Sequence, residues 1–205
     1  MILTDDNFST IVKAISNGRS IYENIQNSIR FLLSGNTGAI LVVLYATLFA
    51  LPAPFAPVHL LFINLLTDSL PAIAIGLEPH NKKVMYERPR DIRKPLLSKE
   101  FATNVALEGI IIAFATIIAF EIGRQTDTIT ASTMAFATLC LARLFHGFNC
   151  RSKQPLYKIG LFSNKESWLA FLAGVILLHI VLLIPALSGV FEVAALDRGH
   201  PLSAD

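Results

Sequence analysis

Phe62 to Leu77, FINLLTDSLPAIAIGL, is a run of membrane-grade hydrophobicity with Asn64, Thr67, Asp68 and Pro71 set into its middle. A bilayer interior has no water to hold an ionised carboxylate, and placing Asp at mid-depth costs about 2.5–3.5 kcal/mol on insertion scales. Such a residue is retained for a use. Asn64 and Asp68 are four residues apart and so share one helical face, with Thr67 beside them. Pro71 has no N–H to give to the carbonyl of Thr67, so the helix is expected to kink or loosen there and free a backbone oxygen. Oxygen donors with one fixed negative charge suit a hard cation such as Ca²⁺, with Mn²⁺ as the alternative.

Composition extends this reading to the whole chain. Its 205 residues are 53% hydrophobic with a mean hydropathy of +0.56, which implies several membrane spans. The net charge of +2 does not point to nucleic acid, because the basic residues sit in short loops between apolar runs. Cys140 and Cys150 are too few for a disulfide framework. The first 28 residues are polar and carry acidic side chains, which excludes a signal or transit peptide.

Taken in order, Thr4, Asp5, Asp6 and Asn7 offer capping side chains before a short amphipathic helix, Phe8 to Ser16, which Asn17-Gly18 is expected to stop. A second helix, with Ile21, Ile25 and Ile29 as its stripe, would run from about Arg19 into the first span as a stalk. The reading is an all-α, polytopic helical membrane bundle with five spans near 29–50, 54–77, 101–122, 131–150 and 167–187, and a polar tail over 188–205. Of the 17 Lys and Arg residues, only Arg124 and Arg198 fall on the side opposite the basic loops. The positive-inside rule therefore puts the N-terminus in the cytoplasm and the tail on the exoplasmic side.

Three segments carry a family resemblance. MILTDDNFSTIVKAISNGRSIYENIQNSIRFLLSGN, LLFINLLTDSLPAIAIGLEP and RPRDIRKPLLS resemble the end of the phosphorylation domain, the stalk, and the fifth and sixth membrane helices of P-type ATPases of the calcium-pump branch. The resemblance implies that residues 1–28 close a phosphorylation domain and stalk, and that 29–187 form the fifth to ninth helices of a ten-helix pump. It also implies a metal site in which Asn64 and Asp68 are ligands, and a second site with Asn36 and Thr67. Two positions depart from the two-site pattern: Ala39 stands where a glutamate is expected, and Arg143 where an eighth-helix glutamate is expected. A one-ion pump is the implied consequence.

By the same resemblance Ca²⁺ is the transported ion, while ATP and Mg²⁺ are needed only by the complete pump. The lipid bilayer and the N-terminal portion of the pump are the implied partners. No phosphate loop or phosphorylated aspartate is found, so these residues are not expected to hydrolyse ATP. A non-catalytic accessory membrane protein derived from such a pump is the alternative. Among the remaining residues, Cys140, His146 and Cys150 include an i, i+4 His/Cys pair that could bind a soft metal, but a structural site wants four ligands and no fourth is near in sequence. Glu108 and His179 read as structural, and Tyr157 and Trp168 as interfacial aromatics.

Overall fold

Phe8–Leu48 is one uninterrupted helix of 41 residues, α1, about 60 Å long at 1.5 Å per residue and twice the ~30 Å hydrocarbon core. The computed structural model describes residues 8–79, 85, 98–152 and 154–194. The capping candidates Thr4 to Asn7, most of the first basic loop, Lys153 and the tail from 195 onward lie outside them. The stop expected at Asn17-Gly18 is not realised. A glycine inside a helix costs only about 1 kcal/mol relative to alanine, too little to end a helix that propagates from both sides. The isoleucine stripe is corrected as well: Ile21 and Ile25 are exposed, whereas Ser20, Asn24, Asn27 and Phe31 are buried.

The second span is built from three pieces: α2 (Pro57–Phe62), a π-helical turn (Ile63–Thr67) and α3 (Ser69–Gly76). The loosening expected at Pro71 thus falls one turn earlier. The Asp68 N–H reaches back five residues to the Ile63 carbonyl at 2.9 Å, and Pro71 sits in the first turn of α3, where no N–H is required. The chain continues through α4 (Lys99–Arg124), α5 (Thr128–Cys150), the single turn α6 (Leu156–Ile159), α7 (Lys165–Leu183) and α8 (Pro185–Phe191). Ser98, Asp127 and Asn164 cap α4, α5 and α7 by accepting from the Phe101, Thr130 and Ser167 N–H groups. The fifth span ends at Leu183 and not near 187, because Pro185 forces the preceding Ile184 into extended backbone (φ −90°, ψ 111°). Residues 188–191, expected as polar tail, are helical and dock on the bundle: Phe191 meets the edge of Phe62 at 5.7 Å. Its carbonyl accepts from His59 Nε2 at 2.6 Å, while His59 Nδ1 accepts from the Ala56 N–H.

Among the described residues, five helical segments are long and apolar enough to cross a bilayer: Phe8–Leu48, Pro57–Gly76, Lys99–Arg124, Thr128–Asn149 and Lys165–Leu183. Their large apolar side chains largely face outward, as Leu61, Leu65, Ile111, Phe114 and Leu169 do, while Ser34, Thr67, Thr116, Asp68 and Arg143 are buried. That inversion fits lipid surroundings, where helices associate through small and polar side chains. A close approach of α1 to α4 depends on Gly109, where a Cβ would lie 2.8 Å from Thr37 Cβ and 3.1 Å from the Ser34 carbonyl.

A second polar joint fixes the far end of α3. The Glu78 carboxylate accepts from Arg151 Nε and Nη2, both at 2.8 Å, and from Asn164 Nδ2 at 2.6 Å. Asn24 of α1 donates to the Glu78 carbonyl, and Asn27 to the Arg151 carbonyl. The ends of α3 and α5 and the cap of α7 therefore meet at one carboxylate, and α1 holds the backbone carbonyls beside it.

Candidate cation site and its charged partner

Asp68 lies at the joint between the π turn and α3, 3% exposed, and Arg143 reaches it from α5, itself 1% exposed. Arg143 Nη2 stands 2.9 Å from Asp68 Oδ2 and donates to Asn36 Oδ1 of α1 at 2.8 Å. The guanidinium fits because Gly35 faces it: a Cβ there would sit 2.6 Å from Nη2 and 2.8 Å from Cζ. A guanidinium does not lose its proton at ordinary pH, so it is a permanent cation beside the carboxylate. Within this pair, Asp68 Oδ1 and Arg143 Nε find no hydrogen-bond partner among the described residues. A carboxylate with one oxygen paired and the other bare is poised to accept one further cation or donor.

The other expected site residues separate. Asn64 is exposed while Thr67 and Asp68 are buried, because the π turn alters the α-helical spacing that would have stacked positions 64 and 68. Thr67 Oγ1 donates to the Ile63 carbonyl at 2.9 Å, which supports the unwound turn from within. Ala39 is packed in the apolar core with Val42 and Phe62. Asn36 is drawn to Arg143, so Asn36, Asp68 and Arg143 form one cluster and Asn64 stands apart.

Sequence reasoning missed several contributors. Gly35 signals only through its place in the small-residue run Ser34-Gly35, and Glu78 and Arg151 read as loop residues although they anchor α3. Two arginines eight residues apart on α5 thus hold two acids ten residues apart at the ends of α3, spans of about 12 and 15 Å along helices. Glu108 of α4 pairs with Arg30 of α1. His146 joins that pair, with Nε2 3.5 Å from Glu108 Oε2, 2.7 Å from Ser34 Oγ and 3.1 Å from Cys150 Sγ. Cys140 stays in the apolar core. His179 bonds the Val175 carbonyl one turn back, and Trp168 Nε1 donates to the Leu161 carbonyl.

Five apolar helices around a buried carboxylate–guanidinium pair, with one span unwound at the carboxylate, define a polytopic membrane protein with charge inside its bundle. The chain belongs to the cation-transporting ATPase family: residues 52–202 match the family model described as "Cation transporting ATPase, C-terminus". It is 41% identical over 202 residues to the calcium-transporting ATPase of Bacillus subtilis strain 168, covering 97% of this chain and 23% of that protein. It is 39% identical over 215 residues to calcium-transporting ATPase 1 of Bacillus cereus, covering 96% of this chain and 24% of that protein. Calcium-transporting ATPase type 2C member 1 of Mus musculus is 34% identical over 200 residues, with 96% of this chain and 22% of that protein covered. The chain thus spans about a quarter of the length of these relatives and corresponds to the C-terminal membrane region of calcium-transporting P-type ATPases.

Proposed function

We propose that this chain forms the later part of the ion pathway of an ATP-driven calcium pump, with one ion site at Asp68 and Arg143 standing where a second ion would bind. The observation that carries the reading is the division of the Asp68 carboxylate: Oδ2 is held by Arg143 while Oδ1 has no partner among the described residues. Ca²⁺ takes about 6–8 oxygens. Asp68 supplies only part of that shell, and the remainder belongs to the complete pump, as do ATP and Mg²⁺. The N-terminus lies in the cytoplasm in this reading, with the basic loops on the same side.

Arg143 supplies a tethered positive charge close to Asp68 and Asn36, and Ala39 offers no oxygen to compensate. A dication in the same space would meet a cation that cannot deprotonate. Calcium uptake by vesicles carrying the complete pump tests the assignment. Asp68→Asn removes the fixed charge and is expected to abolish uptake. Asn36→Ala removes one hydrogen bond to Arg143 and is expected to leave most of it. Equal losses from the two changes would mean that Asn36 is a ligand of a working site.

A further inference from the structure

One turn along α5 from Arg143, three metal-ligating side chains of different chemistry meet. Glu108 of α4, His146 and Cys150 of α5 each offer one ligand atom, and these atoms lie within 4.8 Å of one another. The sequence shows only the His146 and Cys150 pair. The third donor arrives from another helix. We propose that Glu108, His146 and Cys150 form a binding site for a soft divalent cation of the zinc class, distinct from the Asp68 site.

The geometry suits tetrahedral coordination. Bonds of about 2.0–2.3 Å at tetrahedral angles put neighbouring ligand atoms about 3.3–3.8 Å apart. The His146 Nε2 separations, 3.1 Å to Cys150 Sγ and 3.5 Å to Glu108 Oε2, are within a few tenths of an ångström of that range. A thiolate, an imidazole and one carboxylate select zinc-like ions over Ca²⁺, which wants oxygen alone. Three protein ligands leave a fourth position for water. One groove reaches the cluster and a second reaches its Arg30 neighbour. Glu108 and His146 line a groove of about 210 Å³, and Arg30, in contact with the same carboxylate, lines a polar groove of about 330 Å³ with Gln26, Ser98 and Asn104.

Charge and protons balance on loading. Arg30 neutralises Glu108, and the Ser34 hydroxyl donates a hydrogen bond to the Arg30 carbonyl at 2.7 Å. Ser34 Oγ is then the acceptor for a hydrogen on His146 Nε2. Binding requires the imidazole to take its other tautomer, so that Nε2 faces the metal with its lone pair. Cys150 gives up its thiol proton to water as the metal–sulfur bond forms. Glu108 and the Cys150 thiolate then offset the dication, Arg30 yields Oε2, and the loaded cluster keeps the single positive charge of Arg30. The bound ion would tie α4 to α5 beside α1.

Cobalt(II) is the probe, because a thiolate bound to it gives a charge-transfer absorption that nitrogen and oxygen ligands do not. The chain in detergent, titrated with Co²⁺ alone, is expected to show this band at one ion per chain, with Zn²⁺ displacing it and Ca²⁺ leaving it in place. Cys150→Ser should abolish the band, while Cys140→Ser and Asp68→Asn should keep it. Glu108→Gln should weaken binding about tenfold or more, and Arg30→Gln, which removes the competing cation, should shift the titration to lower cobalt. A wild-type chain that is helical by circular dichroism yet gives no band overturns the proposal. So does a band that survives Cys150→Ser or disappears in Cys140→Ser. Retention in Asp68→Asn keeps this test separate from the calcium reading.

Discussion

Arg143 and Asp68 are joined through a single oxygen at 2.9 Å, and the same guanidinium nitrogen also holds Asn36. One side chain of α5 thus ties α1 to the break in the second span. Removing water from two ions costs several kcal/mol each, and close pairing offsets that cost only while both partners remain. The pair is therefore a joint whose two halves depend on each other.

Arg143→Met leaves Asp68 buried without its partner and should destabilise the bundle by about 3–5 kcal/mol. The double change Asp68→Asn with Arg143→Met, which removes both charges, should recover most of that loss. Thermal unfolding in detergent across the four variants measures the coupling. Additive losses would show that the two side chains do not depend on one another.

Glu78→Ala should be as damaging as any single change outside the site. It strips the carboxylate from Arg151, which is 1% exposed, and leaves Asn164 Nδ2, on the cap of α7, with only the Ala74 carbonyl as acceptor. Breaking such a buried pair costs about 3–5 kcal/mol. Proteolysis between α5 and α7, where the clasp is anchored, should accelerate in this variant. An unchanged cleavage rate would mean that the clasp adds little to the bundle.

Asp127 gives a pH signature away from the bilayer. The N–H and hydroxyl of Thr130 hold its carboxyl below the usual carboxylate range. A depressed acid contributes its stabilisation above its unfolded pKa and loses it as pH falls through the folded value. The first turn of α5 should therefore fray on acidification, seen as faster hydrogen exchange at Thr130 once the intrinsic pH dependence is removed. In Asp127→Asn that acid step should vanish.

The fold was legible where the sequence carries long apolar runs, because a bilayer leaves the backbone little choice but helix. Its interruptions were less so. Asn17-Gly18 looks like a stop from its own dipeptide, yet the helices on both sides override it. Pro71 announced a loosened helix but could not say that the extra residue would be taken up at Ile63–Thr67. Asn64 was grouped with Asp68 on α-helical spacing, and the π turn undid that grouping. Pro185 carried a stop that the expected span to 187 ran past, since a residue before proline avoids helix. The Glu108–Arg30 pair and the Glu78–Arg151 clasp join residues more than seventy positions apart, and no spacing rule within a helix reaches that far.

In the pump proposed above, the Arg143 guanidinium takes the place of a second calcium ion. Substituting Ala39→Glu together with Arg143→Glu would remove that cation and add two carboxylates, and should move the stoichiometry upward. The most direct measurement is equilibrium calcium bound per phosphorylatable enzyme in the complete, otherwise unaltered pump. A ratio near one is expected; a ratio near two, with Arg143 in place, would show that the guanidinium does not exclude a second ion.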